Sequence, residues 1–261
     1  MQHKIIGSTM PVLEMTLEPG DSIIAQAGEL SWMTSSIDLR TSTSAGANKG
    51  FFGAIKRAVG GGSLFMTEYR SNAGSGMVAF ATKVPGHILP VDVSRTGGYL
   101  IHRHGFLCGT STIELSVGFQ RSLGAGVFGG QGFVLQKIGG EGAAWVELDG
   151  EVVTYDLAPG ETLRVHPGHV GMFEATVNFD ITMLPGIRNM MFGGDGLFLA
   201  ALTGPGRVWL QSLPLSNLAH ALAPYLPHGR GSESASGVAG AGIAGAVLGG
   251  LLGGGNNQNN D

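Results

Sequence analysis

The chain has 261 residues, 43% of them apolar and only 13% charged, with a net charge of −4 and a pI near 6.0. That acidic balance, with no basic stretch denser than Lys49, Lys56 and Arg57, argues against nucleic-acid binding. No run of about 20 apolar residues suits a membrane-spanning helix, and a single cysteine, Cys108, excludes an intrachain disulfide. Charge this low, against roughly 25% in ordinary soluble domains, fits a protein that associates with itself. The N-terminus shows neither the apolar core of a signal peptide nor an Arg-rich transit pattern, so a cytoplasmic setting, with peripheral membrane contact as a further expectation, is read from it.

In chain order, the first predicted element is a turn and strand at Leu17-Glu18-Pro19-Gly20-Asp21, running to Gly28. Proline sets φ and glycine takes the positive φ of the turn; the alternation that follows reads as a strand. The same pattern returns at Leu157-Ala158-Pro159-Gly160-Glu161, running to Gly168, and in weaker form between Gly97 and Gly105. A second pattern also occurs three times: an apolar strand, a G-x-G turn and another strand. Its turns are Gly74-Ser75-Gly76, Gly140-Glu141-Gly142 and Gly204-Pro205-Gly206, with Trp145 and Trp209 three residues past the last two. G-x-G between apolar runs signals a hairpin, and the tryptophans supply large core side chains.

Two patterns in one order, three times, predict an all-β fold of three repeated units at about 10–85, 86–150 and 151–215. Each unit is too small to bury its own faces, so pseudo-threefold packing of three β-sandwiches around one core is the expectation. A short helix over 216–224 follows, with Ser216 as N-cap and Pro224 as its stop. Residues 229–261 are expected to be a flexible glycine-rich tail, an assembly or membrane-contact element. The segment around 43–62 carries Phe51, Phe52, Lys56 and Arg57, a candidate interaction loop whose alternative role is to cap its own unit.

Few residues suggest chemistry. His102 and His104 form an H-x-H on an expected strand, hence on one face, as cupin-type metal sites do. Further ligands are poorly placed: no carboxylate follows until Glu114, and His166 and His169 tend to opposite faces. The other repeats carry Ala25 and Ala27, and Val165 and Pro167, in their place. No G-x-S-x-G and no glycine loop opening a helix occur. Asp21 and Glu161 sit where a carboxylate caps turn N–H groups. No enzyme activity and no cofactor are expected.

The Leu17-Glu18-Pro19-Gly20-Asp21 run with Gly28 and Met33, the run Gly61 to Tyr69, the repeat at Leu157, and the Gly-Gly-Leu-Leu-Gly-Gly-Gly tail together resemble the mitochondrial-biogenesis family named for altered inheritance of mitochondria. Ser63 stands where the family's pattern has Glu. The resemblance covers about residues 10–215. It implies a fold similar to the tryptophan RNA-binding attenuation protein, in three β-sandwich subdomains, and it carries over no catalytic residue. A shared fold is not evidence of RNA binding. Two functional expectations follow. The first is a non-enzymatic, self-associating scaffold with an unidentified protein partner or membrane surface. The second is a small-ligand or metal-binding β-sandwich centred on His102 and His104.

Overall fold

The computed structural model describes residues 1–41, 66–72, 74–121, 133–183 and 198–226. The candidate loop residues Phe51, Phe52, Lys56 and Arg57 and the expected tail lie outside them. The described chain is all-β. After β1 (Gln2–Ile6), a six-strand order repeats three times. The first set is β2 (Val12–Leu17), β3 (Ser22–Gln26), β4 (Trp32–Met33), β5 (Ile37–Thr41), β6 (Met66–Ser71) and β7 (Gly76–Ala81). The second is β8 (Gly86–Asp92), β9 (Tyr99–His102), β10 (Phe106–Thr110), β11 (Ile113–Arg121), β12 (Phe133–Gly140) and β13 (Ala143–Asp149), with α1 (Val93–Thr96) between β8 and β9. The third is β14 (Val152–Leu157), β15 (Thr162–Val165), β16 (Val170–Glu174), β17 (Asn178–Met183), β18 (Phe198–Thr203) and β19 (Gly206–Gln211), followed by α2 (Leu215–Leu222).

The turn chemistry is the same in the first and third sets. Asp21 accepts from the Glu18 N–H at 3.0 Å, and Glu161 accepts from the Ala158 N–H at 2.9 Å. Gly20 and Gly160 take φ of +92° and +80°, a region open to glycine. The G-x-G turns do not join paired strands, which corrects the expected hairpins: β6 and β7, β12 and β13, and β18 and β19 lie in different sheets, so each turn carries the chain from one sheet to another, and one of the turns is very tight. A Cβ on Gly140 would collide with the Thr112 carbonyl oxygen, at φ +89°. Gly140→Ala is therefore expected to lower stability by about 2 kcal/mol or more, read as a fall in the urea midpoint.

Among the described residues, strand pairing assembles four antiparallel sheets. Sheet I is β1-β2-β7-β4; sheet II is β5-β6-β3-β10-β13-β8; sheet III is β11-β12-β9-β16-β19-β14; sheet IV is β15-β18-β17. Sheets II and III each span two units, joined where the second strand of one unit pairs with the third strand of the next: β3 with β10, and β9 with β16.

The cores lie between successive sheets, and among the described residues there are three of them. Leu13, Met15, Leu17, Val78 and Phe80 of sheet I pack on Ile23, Tyr69, Leu107 and Trp145 of sheet II. Ile24, Phe106, Val146 and Leu148 on the other face of sheet II meet Ile101, Leu115, Ile138 and Met172 of sheet III. Leu135, Phe173 and Val208 of sheet III meet Val165, Ile181 and Leu202 of sheet IV. The expectation of one shared core is corrected accordingly. Strand side chains alternate between faces, so a sheet covered on both sides feeds two cores. β13 shows this: Trp145 enters the first core, whereas Ala144, Val146 and Leu148 enter the second.

Helix α2 begins one residue before the expected start, and its N-cap is Pro214 rather than Ser216. The Pro214 carbonyl accepts from the N–H groups of Asn217 and Leu218 at 2.9 and 3.1 Å, so no side-chain cap is made.

Candidate functional site

Strand β13 reads Ala-Ala-Trp-Val-Glu-Leu-Asp and is buried along almost its whole length. Period two puts Trp145, Glu147 and Asp149 on the face toward the first core. Two carboxylates therefore stand at the rim of an apolar layer. Lys83, on the link between β7 and β8, answers them. Its Nζ donates to both oxygens of Glu29 at 2.6 and 2.7 Å and lies 3.4 Å from Glu147 Oε1. Glu29 comes from the turn after β3 and, like Glu147, is almost fully buried. Glu147 Oε2 is buried and has no hydrogen-bond partner among the described residues. This cluster ties three segments across the boundary between the first and second units.

The electrostatics follow from burial. Burial pushes the Glu147 carboxyl up to about 7; the Lys83 charge pulls the other way, and Glu29 and Asp149 add to the rise. Burial likewise raises Asp149 to about 6, against the pull of Lys83. Burial alone would lower Lys83, but the hydrogen bond to Glu29 and the charges of Glu147 and Glu29 outweigh it, so its pKa is raised. Glu147 thus exchanges a proton near neutral pH inside the protein. Cys108, in the first core, has its thiol pushed well up by burial, so it holds little of the nucleophilic thiolate.

The two candidate histidines sit beside this cluster but are not brought together as a ligand pair. β9 ends at His102, and Arg103 and His104 form the turn that follows, so the shared strand face expected for H-x-H is absent. Burial lowers His102 to about 4, so its ring is neutral at pH 7. It lies 3.0 Å from the Glu147 carbonyl through Nε2. A carbonyl only accepts, so Nε2 carries the proton. His104 is lowered to about 4 by burial and by the charges of Arg103, His102 and Lys83. Among the described residues, no group of three or more His, Cys, Asp or Glu side chains is arranged to hold a metal ion.

The third unit repeats the His102 arrangement. Gln211 falls five residues past Gly206, as Glu147 does past Gly142. Its carbonyl lies 2.8 Å from His169 Nδ1, and its side chain bridges the Asp149 N–H and the Gly168 carbonyl at 3.1 Å each. In both units a histidine, the last residue of β9 in one and a residue between β15 and β16 in the other, reaches a main-chain carbonyl of the sixth strand. His166 stands beside His169 with ring centroids 5.9 Å apart, lowered by burial and by the His169 charge.

Sequence reading missed Glu29, Lys83, Glu147, Asp149 and Gln211. One signal was present: two acids alternating in an otherwise apolar strand. Their partners lie on other strands and turns, which spacing along the chain does not reveal.

Among the described residues, no helix is long and apolar enough to cross a membrane. The chain is 29% identical over 221 residues to an uncharacterised protein of Streptococcus pyogenes serotype M6, covering 83% of this chain and 87% of that protein. It also superposes on a Streptococcus pyogenes protein whose X-ray crystal structure came from a structural genomics consortium. That match has a TM-score of 0.68 at 26% identity, over 86% of this chain and 99% of the other. The profile of the family described as Mitochondrial biogenesis AIM24 matches residues 3–213, nearly the whole described fold, and the chain belongs to that family.

Proposed function

We propose that this protein is a non-enzymatic scaffold that works by associating with copies of itself, and through them with a protein partner or membrane surface. The observation that carries this reading is the layering. Among the described residues, sheets II and III are covered on both faces, whereas sheets I and IV end the stack and are packed on one face only. Charge is too sparse, at 13% of residues, to keep such ends apart by repulsion.

Light scattering of the full chain across a concentration series tests the first part. A mass rising above the 26.9 kDa of one chain is expected. Flotation with anionic and neutral liposomes tests the second. A protein that stays at one-chain mass and never floats would refute the reading.

A further inference from the structure

We infer that copies of this chain join head to tail, the open edge of β15 in one copy pairing antiparallel with β4 of the next. This rests on the self-association proposed above and gives it a surface and a partner.

The chain states its own joining rule twice. The second strand of each unit pairs with the third strand of the following unit: β3 with β10, then β9 with β16. Applied a third time, the rule leaves β15, the second strand of the last unit, needing a third strand from a following unit. It leaves β4, the third strand of the first unit, needing a second strand from a preceding one. Among the described residues β15 pairs only with β18, and β4 only with β7. Each has one free edge, and the two edges are complementary.

Side-chain exposure marks the same two ends. The residue across from the position three past the G-x-G glycine is Cys108 in the second unit, Met172 in the third and Trp32 in the first. Cys108 and Met172 are fully buried, because the joined strand of the preceding unit lies alongside; Trp32 is 46% exposed. At the other end, the first strand of each unit aims three apolar residues at that unit's core. In the first unit these are Leu13, Met15 and Leu17, all fully buried; in the second, Leu89 and Val91 of β8 and Val93, the residue just after it, pack in the core. In the third they are Val153, Tyr155 and Leu157, and Val153 and Tyr155 are 49% and 43% exposed.

The reason is visible in the layers. Sheets I and II each face a six-stranded sheet, half of which the next unit supplies. Among the described residues, sheet III faces only the three strands of sheet IV. A second copy provides a fourth unit: its sheet I would extend sheet IV through β4 and cover Val153 and Tyr155, while Trp32 enters the core of its neighbour. The contact is heterologous, so it builds rings or filaments rather than a two-fold dimer.

The test is a cysteine pair. By the register of β3 with β10, where Ala25 faces Cys108, Trp32 faces Val165. Oxidation of the Trp32→Cys/Val165→Cys double variant is expected to give reductant-sensitive species at multiples of one chain. Mixing the two single variants should stop at a dimer, and neither alone should cross-link. The native Cys108 is buried and does not compete. In parallel, Val153→Ser/Tyr155→Ser, at positions 49% and 43% exposed, should bring the light-scattering mass back to one chain while the circular dichroism spectrum stays that of the wild type. A double variant that cross-links only within one chain, or a Trp32→Cys variant that cross-links to itself, overturns the inference. So does unchanged association in the serine variant, which would leave self-association standing through another surface. A wild-type chain that is monomeric at every concentration sinks both readings together.

Discussion

Lys83→Met is expected to destabilise the fold by about 3 kcal/mol at pH 8, the low end for breaking a buried pair because Lys83 itself is half exposed. The loss comes from what stays behind. Glu29 and Glu147 are almost fully buried, and Lys83 is the cation they share. A methionine fills much of the same volume but answers neither carboxylate. Much of the loss should disappear at pH 4.5, where Glu147 carries its proton in the folded protein. Urea unfolding of both proteins at the two pH values reads this directly. A deficit equal at both would mean that Lys83 acts by packing alone.

Glu147→Gln should reshape the pH profile of stability. In the folded protein Glu147 titrates near 7, above its ordinary 4.5. The folded state holds this proton more tightly than the unfolded chain. The stability linked to it is therefore fully present below about pH 4.5 and lost as pH rises through about 7. Asp149, moved from 3.8 to about 6, has the same sign in a lower window. His102 has the opposite sign. Its folded value near 4 lies below its ordinary 6.5, so its contribution is present above about pH 6.5 and is lost as pH falls through about 4. The wild-type profile between pH 4 and 7 should be shallow because these effects oppose one another. Glutamine removes the Glu147 part. Relative to wild type, stability at pH 8 minus stability at pH 4.5 should rise by on the order of 3 kcal/mol, the size of a shift from 4.5 to about 7. A variant with the wild-type slope would place the near-neutral titration elsewhere.

The histidines show where a local pattern misleads. H-x-H is a same-face pair only if both residues belong to one strand. Here the strand stops at His102, since Gly105 N–H bonds back to the His102 carbonyl at 2.9 Å and closes a turn. What the turn delivers is a clamp on the next sheet strand, and Gln211 with His169 makes its counterpart in the third unit.

The β class and the P-G-acid turns were legible in the amino-acid sequence, because each rests on φ restrictions and a period of two that act over a few residues. Trp145 as a core side chain was legible for the same reason. The G-x-G segments were legible as turns but not as what they join, since each links strands of two different sheets. The order of the layers, the division into three cores and the partners of Glu147 were decided only by tertiary structure. They depend on which strand edges meet across units: β3 meets β10 some 80 residues on, and Lys83 meets Glu147 at a separation of 64. No local rule links residues that far apart. The same long-range pairing leaves Trp32, Val153 and Tyr155 exposed at the two ends of the stack, although their counterparts in the other units are core residues.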